Sequence, residues 1–283
     1  MKEIAVSFCL IFSTVGMAAQ SGWTREKGES WSQLSYSSWK SSNYYNTSGQ
    51  KIHTNTFHQR DINFYAEYGL NNRLTIIGFA PVYRELSFTG STAVQGPGDP
   101  RVELKYSILR KNWPLSFDVA AELPLGNSEA RSHSKEIPGV WINLPLGDGE
   151  LNYWFTLALS HPFSSKAYFS LYNQYNLRGS YNNVEFSDQL RFGSEFGYKV
   201  SPKAWLMVKQ QAQWSLSKSK VFTDFARQDG TTFSNFSLLA LYDIGKGFGI
   251  SLQANVFSDL PSARRNLYSA ANAVIGITYE RKK

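Results

Sequence analysis

Cysteine is almost missing from this 283-residue chain, which has only Cys9. That excludes an intrachain disulfide and any Cys-rich zinc site. Charge is scarce as well: Asp, Glu, Lys and Arg make up 18% of the residues, against about 25% in ordinary soluble domains. Long apolar runs are also lacking. Beyond the N-terminus, the longest charge-free aromatic-aliphatic stretch covers 151–165 and contains Asn152 and His161-Pro162. It falls short of the ~20 residues a spanning helix needs, and Pro162 would break it. A mean hydropathy of −0.34 also argues against a bundle of membrane helices. Aromatics, in contrast, are plentiful, with 19 Phe, 16 Tyr and 8 Trp. That richness excludes disorder, which requires few aromatics and low hydrophobicity. A polar average with many aromatics and short apolar segments is what a transmembrane β-barrel requires, and a barrel of this length counts as one domain.

The first residues read as an export signal. Lys2 supplies the positive charge, 4–17 is a mostly apolar core, and Gly16-Met17-Ala18 fits small-x-small cleavage. The expected division is a signal peptide at 1–18 and a barrel over 19–283. Cys9 leaves with the signal, and the loss of Lys2 and Glu3 keeps the net charge at +7. A chain without cysteine suits passage through an oxidising periplasm.

From Glu29 onward the hydrophobic period is 2. In 188–200, Leu190, Phe192, Phe196, Tyr198 and Val200 alternate with Gln189, Arg191, Gly193, Glu195, Gly197 and Lys199. A strand sends alternate side chains to opposite faces, so one face is apolar and the other polar. Such runs occur at about 30–40, 57–69, 74–84, 101–110, 114–124, 150–160, 166–177, 187–200, 203–216, 233–244, 248–257 and 270–279. They predict about 12 antiparallel strands in an up-and-down barrel. Short connections, such as Ser201-Pro202 and Gly245-Lys246-Gly247, alternate with long polar ones at 41–56, 85–100, 125–149, 178–186, 217–232 and 258–269. Outer-membrane barrels place short turns in the periplasm and long loops outside, which puts both termini in the periplasm. A soluble sandwich would also alternate, but it would carry more Lys and Glu outside. Trp31, Trp39, Trp113, Tyr153, Trp154, Trp205, Trp214 and Tyr279 fall near strand ends and are expected to form interfacial girdles. The final strand alternates through Ala273, Ile275, Ile277 and Tyr279, similar to the C-terminal signal that the outer-membrane assembly machinery reads, with Glu280-Arg281-Lys282-Lys283 following the aromatic.

Three stretches resemble the outer-membrane barrels of the MetA-pathway phenol-degradation family and its XagA-like relatives. They are Gly22-Trp23-Thr24-Arg25-Glu26-Lys27-Gly28-Glu29-Ser30-Trp31, Glu67-Tyr68-Gly69-Leu70-Asn71-Asn72-Arg73-Leu74-Thr75, and Gly96-Pro97-Gly98-Asp99-Pro100-Arg101-Val102-Glu103-Leu104-Lys105-Tyr106. The resemblance implies an outer-membrane channel for small solutes, apolar or aromatic ones included, and brings no catalytic residues.

The inward parity carries Asp61, Glu67, Glu103, Lys105, Asp118, Glu122, Arg191, Glu195, Lys199 and Lys209. These are the expected lumen-lining residues. They either set solute preference, as charged rings do in channels, or pair across a small barrel and fill it. Lys218, Lys220, Arg227, Arg264 and Arg265 lie in expected outer loops, where charge-assisted bonds to lipopolysaccharide phosphates or to another anion are their expected use. The export signal argues against nucleic acid as the partner of this positive charge. Four scattered His show no ligand spacing, and Asp148 and Glu150 read as a turn more than a Ca²⁺ loop, so no metal or other cofactor is expected. Ser132-His133-Ser134 are successive in a loop and do not converge as a nucleophile and base must. The sequence therefore points to a monomeric, non-enzymatic outer-membrane channel whose partners are lipid, lipopolysaccharide and the assembly machinery. The alternatives are a non-conducting surface barrel tied to adhesion or exopolysaccharide handling, and a lipid-acting enzyme.

Overall fold

A computed structural model of the chain describes residues 20–217 and 229–282. The expected signal peptide lies outside the described residues. All the regular elements described are strands. Twelve of them form the barrel: β1 (Ser30–Tyr45), β2 (Lys51–Gly69), β3 (Leu74–Phe88), β4 (Arg101–Leu109), β5 (Leu115–Glu122), β6 (Asn152–Pro162), β7 (Ala167–Leu177), β8 (Gln189–Ser201), β9 (Ala204–Ser215), β10 (Phe233–Gly245), β11 (Phe248–Ser258) and β12 (Asn272–Arg281). Each pairs antiparallel with its neighbours in sequence. β1 pairs with β2 from Ser30↔Tyr68 and with β12 from Ser30↔Arg281, which closes the sheet. Closure pairs the backbone within the sheet and leaves no open edge, the condition for crossing hydrocarbon with strands.

The twelve expected runs match these strands closely, and the alternation fixes which face each residue takes. On β11, Ile250, Leu252 and Val256 point outward and are exposed, while Ser251, Gln253 and Asn255 point inward and are buried. The same holds on β4, where Val102, Leu104 and Tyr106 face out and Arg101, Glu103, Lys105 and Ser107 face in. A soluble protein does not leave so continuous an apolar belt in water. Acyl chains are the solvent it fits.

Two expectations change. The polar stretch 41–56 is not a long loop: β1 and β2 continue through most of it, and the turn occupies only 46–50. Asn46 Oδ1 accepts from the N–H groups of Ser48 and Gln50 (3.0 and 2.9 Å), and Gly49 takes a left-handed φ of 82°. Polar composition there marks strands standing beyond the apolar belt. The expected girdles are also only partly on the outside. Trp113, Tyr153 and Tyr279 are exposed, but Trp31 and Trp154 are buried inside the barrel, and Trp39 and Trp205 pack on interior clusters. The end bearing the short turns has a different outward aromatic set: Tyr68, Tyr106, Trp113, Phe163, Tyr198, Tyr242, Phe248 and Tyr279. Amphipathic rings at this level suit a membrane interface.

Candidate functional site: the barrel lumen

Strand register builds the interior as pairs of neighbours. Lys105 lies opposite Asp118 (Nζ–Oδ2 3.7 Å), Lys209 opposite Glu195 (2.6 Å) and Arg84 opposite Asp61 (2.9 Å), and most of these side chains are buried. Side chains directly opposite on one face of an antiparallel pair are in reach, so correct inward parity and register suffice to make each pair. Tyr168 donates to Glu195 (2.5 Å), and Tyr65 donates to Glu67 (2.6 Å). Charge is confined mainly to β2–β5, β8 and β9. The wall from β10 through β12 to β1 is lined by amides, hydroxyls and apolar groups, with Glu280 at its short-turn end. Gln33 donates to Ser251 (2.7 Å), Ser237 to Asn255 (2.6 Å) and Asn255 to Asn272 (2.5 Å).

The lumen-lining residues expected from sequence all take the inward parity. Asp61, Glu67, Glu103, Lys105, Asp118, Arg191 and Glu195 are buried there, Glu122 accepts from Asn152 (3.2 Å), and Lys209 binds Glu195. Lys199 sits at the short-turn end with its Nζ 5.9 Å from the centre of the Trp205 ring. The lumen is not polar throughout. Trp31, Tyr65 and Ile77 form one buried cluster, and Tyr168, Met207, Leu239 and Leu241 form another with Trp23 and Trp205. Inward apolar residues at these heights pack against other parts of the chain, whereas strand parity alone suggests only water as their neighbour.

Two inserted segments supply part of that packing. At the short-turn end, residues 20–29 cross the mouth from β2–β3 to β5–β7. Arg25 bridges Glu67 (2.6 Å) and Glu280 (3.1 Å), and its backbone N–H donates to Thr75 Oγ1 (2.8 Å). Trp23 meets the edge of Tyr168 at 5.6 Å between ring centres. Gly22 N–H donates to Ser160 Oγ (2.9 Å), and Ser116 Oγ donates to the Ser21 carbonyl (3.1 Å). A Cβ on Gly22 would stand 1.9 Å from the Pro114 carbonyl oxygen, so only glycine fits.

At the opposite end, the connection between β5 and β6 folds inward. Leu144 and Leu146 are buried against Phe57, Leu86, Ala130 and Tyr268. Asp99 pins this connection by accepting from the backbone N–H groups of Gly126 (2.7 Å) and Asp148 (2.6 Å). Arg84 donates to the Leu146 carbonyl (3.1 Å). Asp148 and Glu150, read from sequence as a turn, both bind the buried Arg178. Burial raises the Asp99 carboxyl from its ordinary value despite its two N–H donors, and pushes Asp148 well above it, with Arg178 opposing.

Against the inserted β5–β6 connection, inside the barrel, lies a cavity of about 250 Å³. It is lined by Asp61, Arg84, Asp99, Arg101, Glu122, Asp148, Arg178 and Arg191 together with Trp39, Phe79, Pro81, Trp154 and Val274. Sequence reasoning missed Arg25, Arg84, Arg101, Arg178 and Asp99 as site residues. Arg101 was reachable by strand parity; Arg84 shares the parity of the outward Leu74 and Ile76 and turns inward only past a β-bulge in β3, and the other three sit in aperiodic segments.

Of the outer-loop cations, Lys218, Lys220 and Arg227 lie outside the described residues. Arg264 is already engaged. It binds both carboxylate oxygens of Asp259 (2.8 and 2.7 Å) and lies over Tyr45 at 4.2 Å. These hydrogen bonds lower the Asp259 carboxyl and raise the guanidinium. The Arg265 side chain is exposed.

No family model matches the chain, and no curated protein sequence matches it. The fold, however, has close counterparts among solved structures. An outer membrane channel from Pseudomonas putida F1 superposes with a TM-score of 0.69 at 14% identity, covering 94% of this chain and 100% of that one. The NanC porin gives 0.56 at 11% identity over 88% and 98%, and the KdgM porin 0.53 at 8% over 89% and 99%. At these identities the likeness is one of fold: the chain has the architecture of outer-membrane channels and porins.

Proposed function

We propose that this protein is a narrow outer-membrane channel for small solutes, held shut at its periplasmic end by residues 20–29. The observation that carries the reading is a polar cavity inside a closed barrel whose mouth is crossed by residues 20–29, a segment held by discrete, breakable contacts. Similarity of fold to channels supports it, as does the match between short turns and outward aromatics at one end. Apolar side chains in the cavity lining, Trp39, Phe79, Pro81 and Val274, suit passage of solutes with apolar parts. Release of the leader, insertion by the assembly machinery, a monomeric state and lipopolysaccharide contact through Arg265, Lys218, Lys220 and Arg227 belong to the same proposal. The deciding experiment is a planar-bilayer recording with purified, refolded protein: discrete current steps are expected. The filled lumen favours one competitor, a non-conducting surface barrel. A silent bilayer with heat-modifiable protein, joined to lost adhesion in a deletion strain with normal solute entry, would establish that competitor instead.

A further inference from the structure

We propose that the central cavity is a binding site for a small organic carboxylate with an apolar body. The inference rests on the channel reading and names the class of solute that pauses on the way through. Two buried donors on residues that line the cavity have no hydrogen-bond partner among the described residues: Arg101 Nη2 and Trp154 Nε1, on residues 4% and 3% exposed. Arg191 lies beside them, its guanidinium 4.3 Å from the centre of the Trp154 ring while that of Arg101 is 5.6 Å away. Arg191 Nε donates to a neutral group, Gln213 (2.5 Å). Arg101 Nη2 stands 4.0 Å from Glu103, beyond hydrogen-bond length, and Arg101 lies opposite Glu122 in the strand register. Buried donors left unpaired cost free energy, and a bound carboxylate would relieve that cost with charge-assisted bonds.

The carboxylates of the cavity are occupied by contrast. Asp61 is held by Arg84 and by Gln59 (2.6 Å), Asp99 by two backbone N–H groups and Glu122 by Asn152, while Asp148 stands 3.9 Å from Arg178. The apolar body has its own surface. Trp39 and Val274, on β1 and β12, lie on the far side of the barrel from β6–β8, and Phe79 and Pro81 continue that surface on β3. A volume of about 250 Å³ lies below the ~300–1,000 Å³ typical of drug-sized ligands, so the guest is small.

The test uses benzoate as probe and benzamide as its neutral counterpart, with calorimetry on the refolded full-length barrel in detergent and current block in a bilayer. Benzoate is expected to bind and to interrupt the current, with benzamide at least about tenfold weaker. R101Q should weaken benzoate about tenfold or more, and W154F several-fold, without changing benzamide. R191K, which keeps the charge and volume of the wall, covers the case in which R101Q fails to fold: loss of the planar donor set should still weaken benzoate. Equal binding of benzoate and benzamide, or benzoate binding untouched by all three substitutions, overturns the site. Arginine-dependent benzoate heat in a protein that never conducts keeps the site and removes the channel reading. Conduction without arginine-dependent binding does the reverse.

Discussion

Replacing Gly22 by Ala should open the channel without harming the barrel. The new Cβ would stand 1.9 Å from the Pro114 carbonyl oxygen and 3.0 Å from the Ser160 amide nitrogen. Both are backbone atoms of the barrel wall, so residues 20–23 must retreat until the closer contact exceeds 3.0 Å. That retreat breaks Gly22 N–H to Ser160 and Ser116 to the Ser21 carbonyl, and disturbs the edge contact of Trp23 with Tyr168. At roughly 1 kcal/mol for each hydrogen bond and a similar amount for the aromatic pair, the docked state loses about 3 kcal/mol. Such a loss shifts the closed-to-open equilibrium about 100-fold. Single-channel recording reads this shift as a collapse of closed dwell time, with unit conductance above that of the native protein. G78A is the control: a Cβ at Gly78 meets nothing within 4 Å, so its gating should match wild type. If G22A folds as a heat-modifiable barrel and keeps native closed times, residues 20–29 do not close this pore.

Three further outcomes follow from the same contacts. R25Q removes the bridge from the inserted segment to Glu67 and Glu280 and should raise open probability at least tenfold in the same recording, since charge-assisted bonds are worth about 1.5–3 kcal/mol each. D99A leaves the Gly126 and Asp148 N–H groups without their acceptor; protease added to intact cells should then nick 123–151 faster than in wild type, and equal rates would show the pin is unimportant. K105M strands the Asp118 carboxylate, 1% exposed, and should lower the denaturant midpoint by the equivalent of about 3–5 kcal/mol, whereas K105M/D118L should recover most of that loss.

Much of the fold was legible because a strand has one dominant rule. Alternation in β8 and β11 placed each side chain on the right face, and turn residues such as Gly245-Lys246-Gly247 marked the reversals. The lumen-lining acids and bases followed from the same parity, and register then made pairs of Lys105 with Asp118 and Lys209 with Glu195. What was not legible is what fills the space between the walls. Parity separates inside from outside, but it does not say whether an inward residue meets water or chain, so Trp31 and Trp154 read as girdle residues. Residues 20–29 and the β5–β6 connection have no period. Their signals were Gly22, Gly126 and Gly147, indistinguishable in sequence from turn glycines, yet each sits where a Cβ would meet backbone or the Asp99 carboxylate. The buried role of Arg178 depends on Glu150 and Asp148 returning to it across a long connection, which spacing does not reveal.

The central claim is that acyl chains solvate the outward parity of a sealed twelve-strand cylinder. Spin labels placed one at a time from Phe248 to Ser258 in liposome-reconstituted protein test it directly, by comparing collision with dissolved oxygen and with a polar nickel complex. Labels at 250, 252, 254 and 256 should favour oxygen, while those at 249, 251, 253 and 255 should be shielded from it, with a period of two. Equal access of the nickel complex to both sets, or protein that stays in buffer away from the liposomes, would contradict the account.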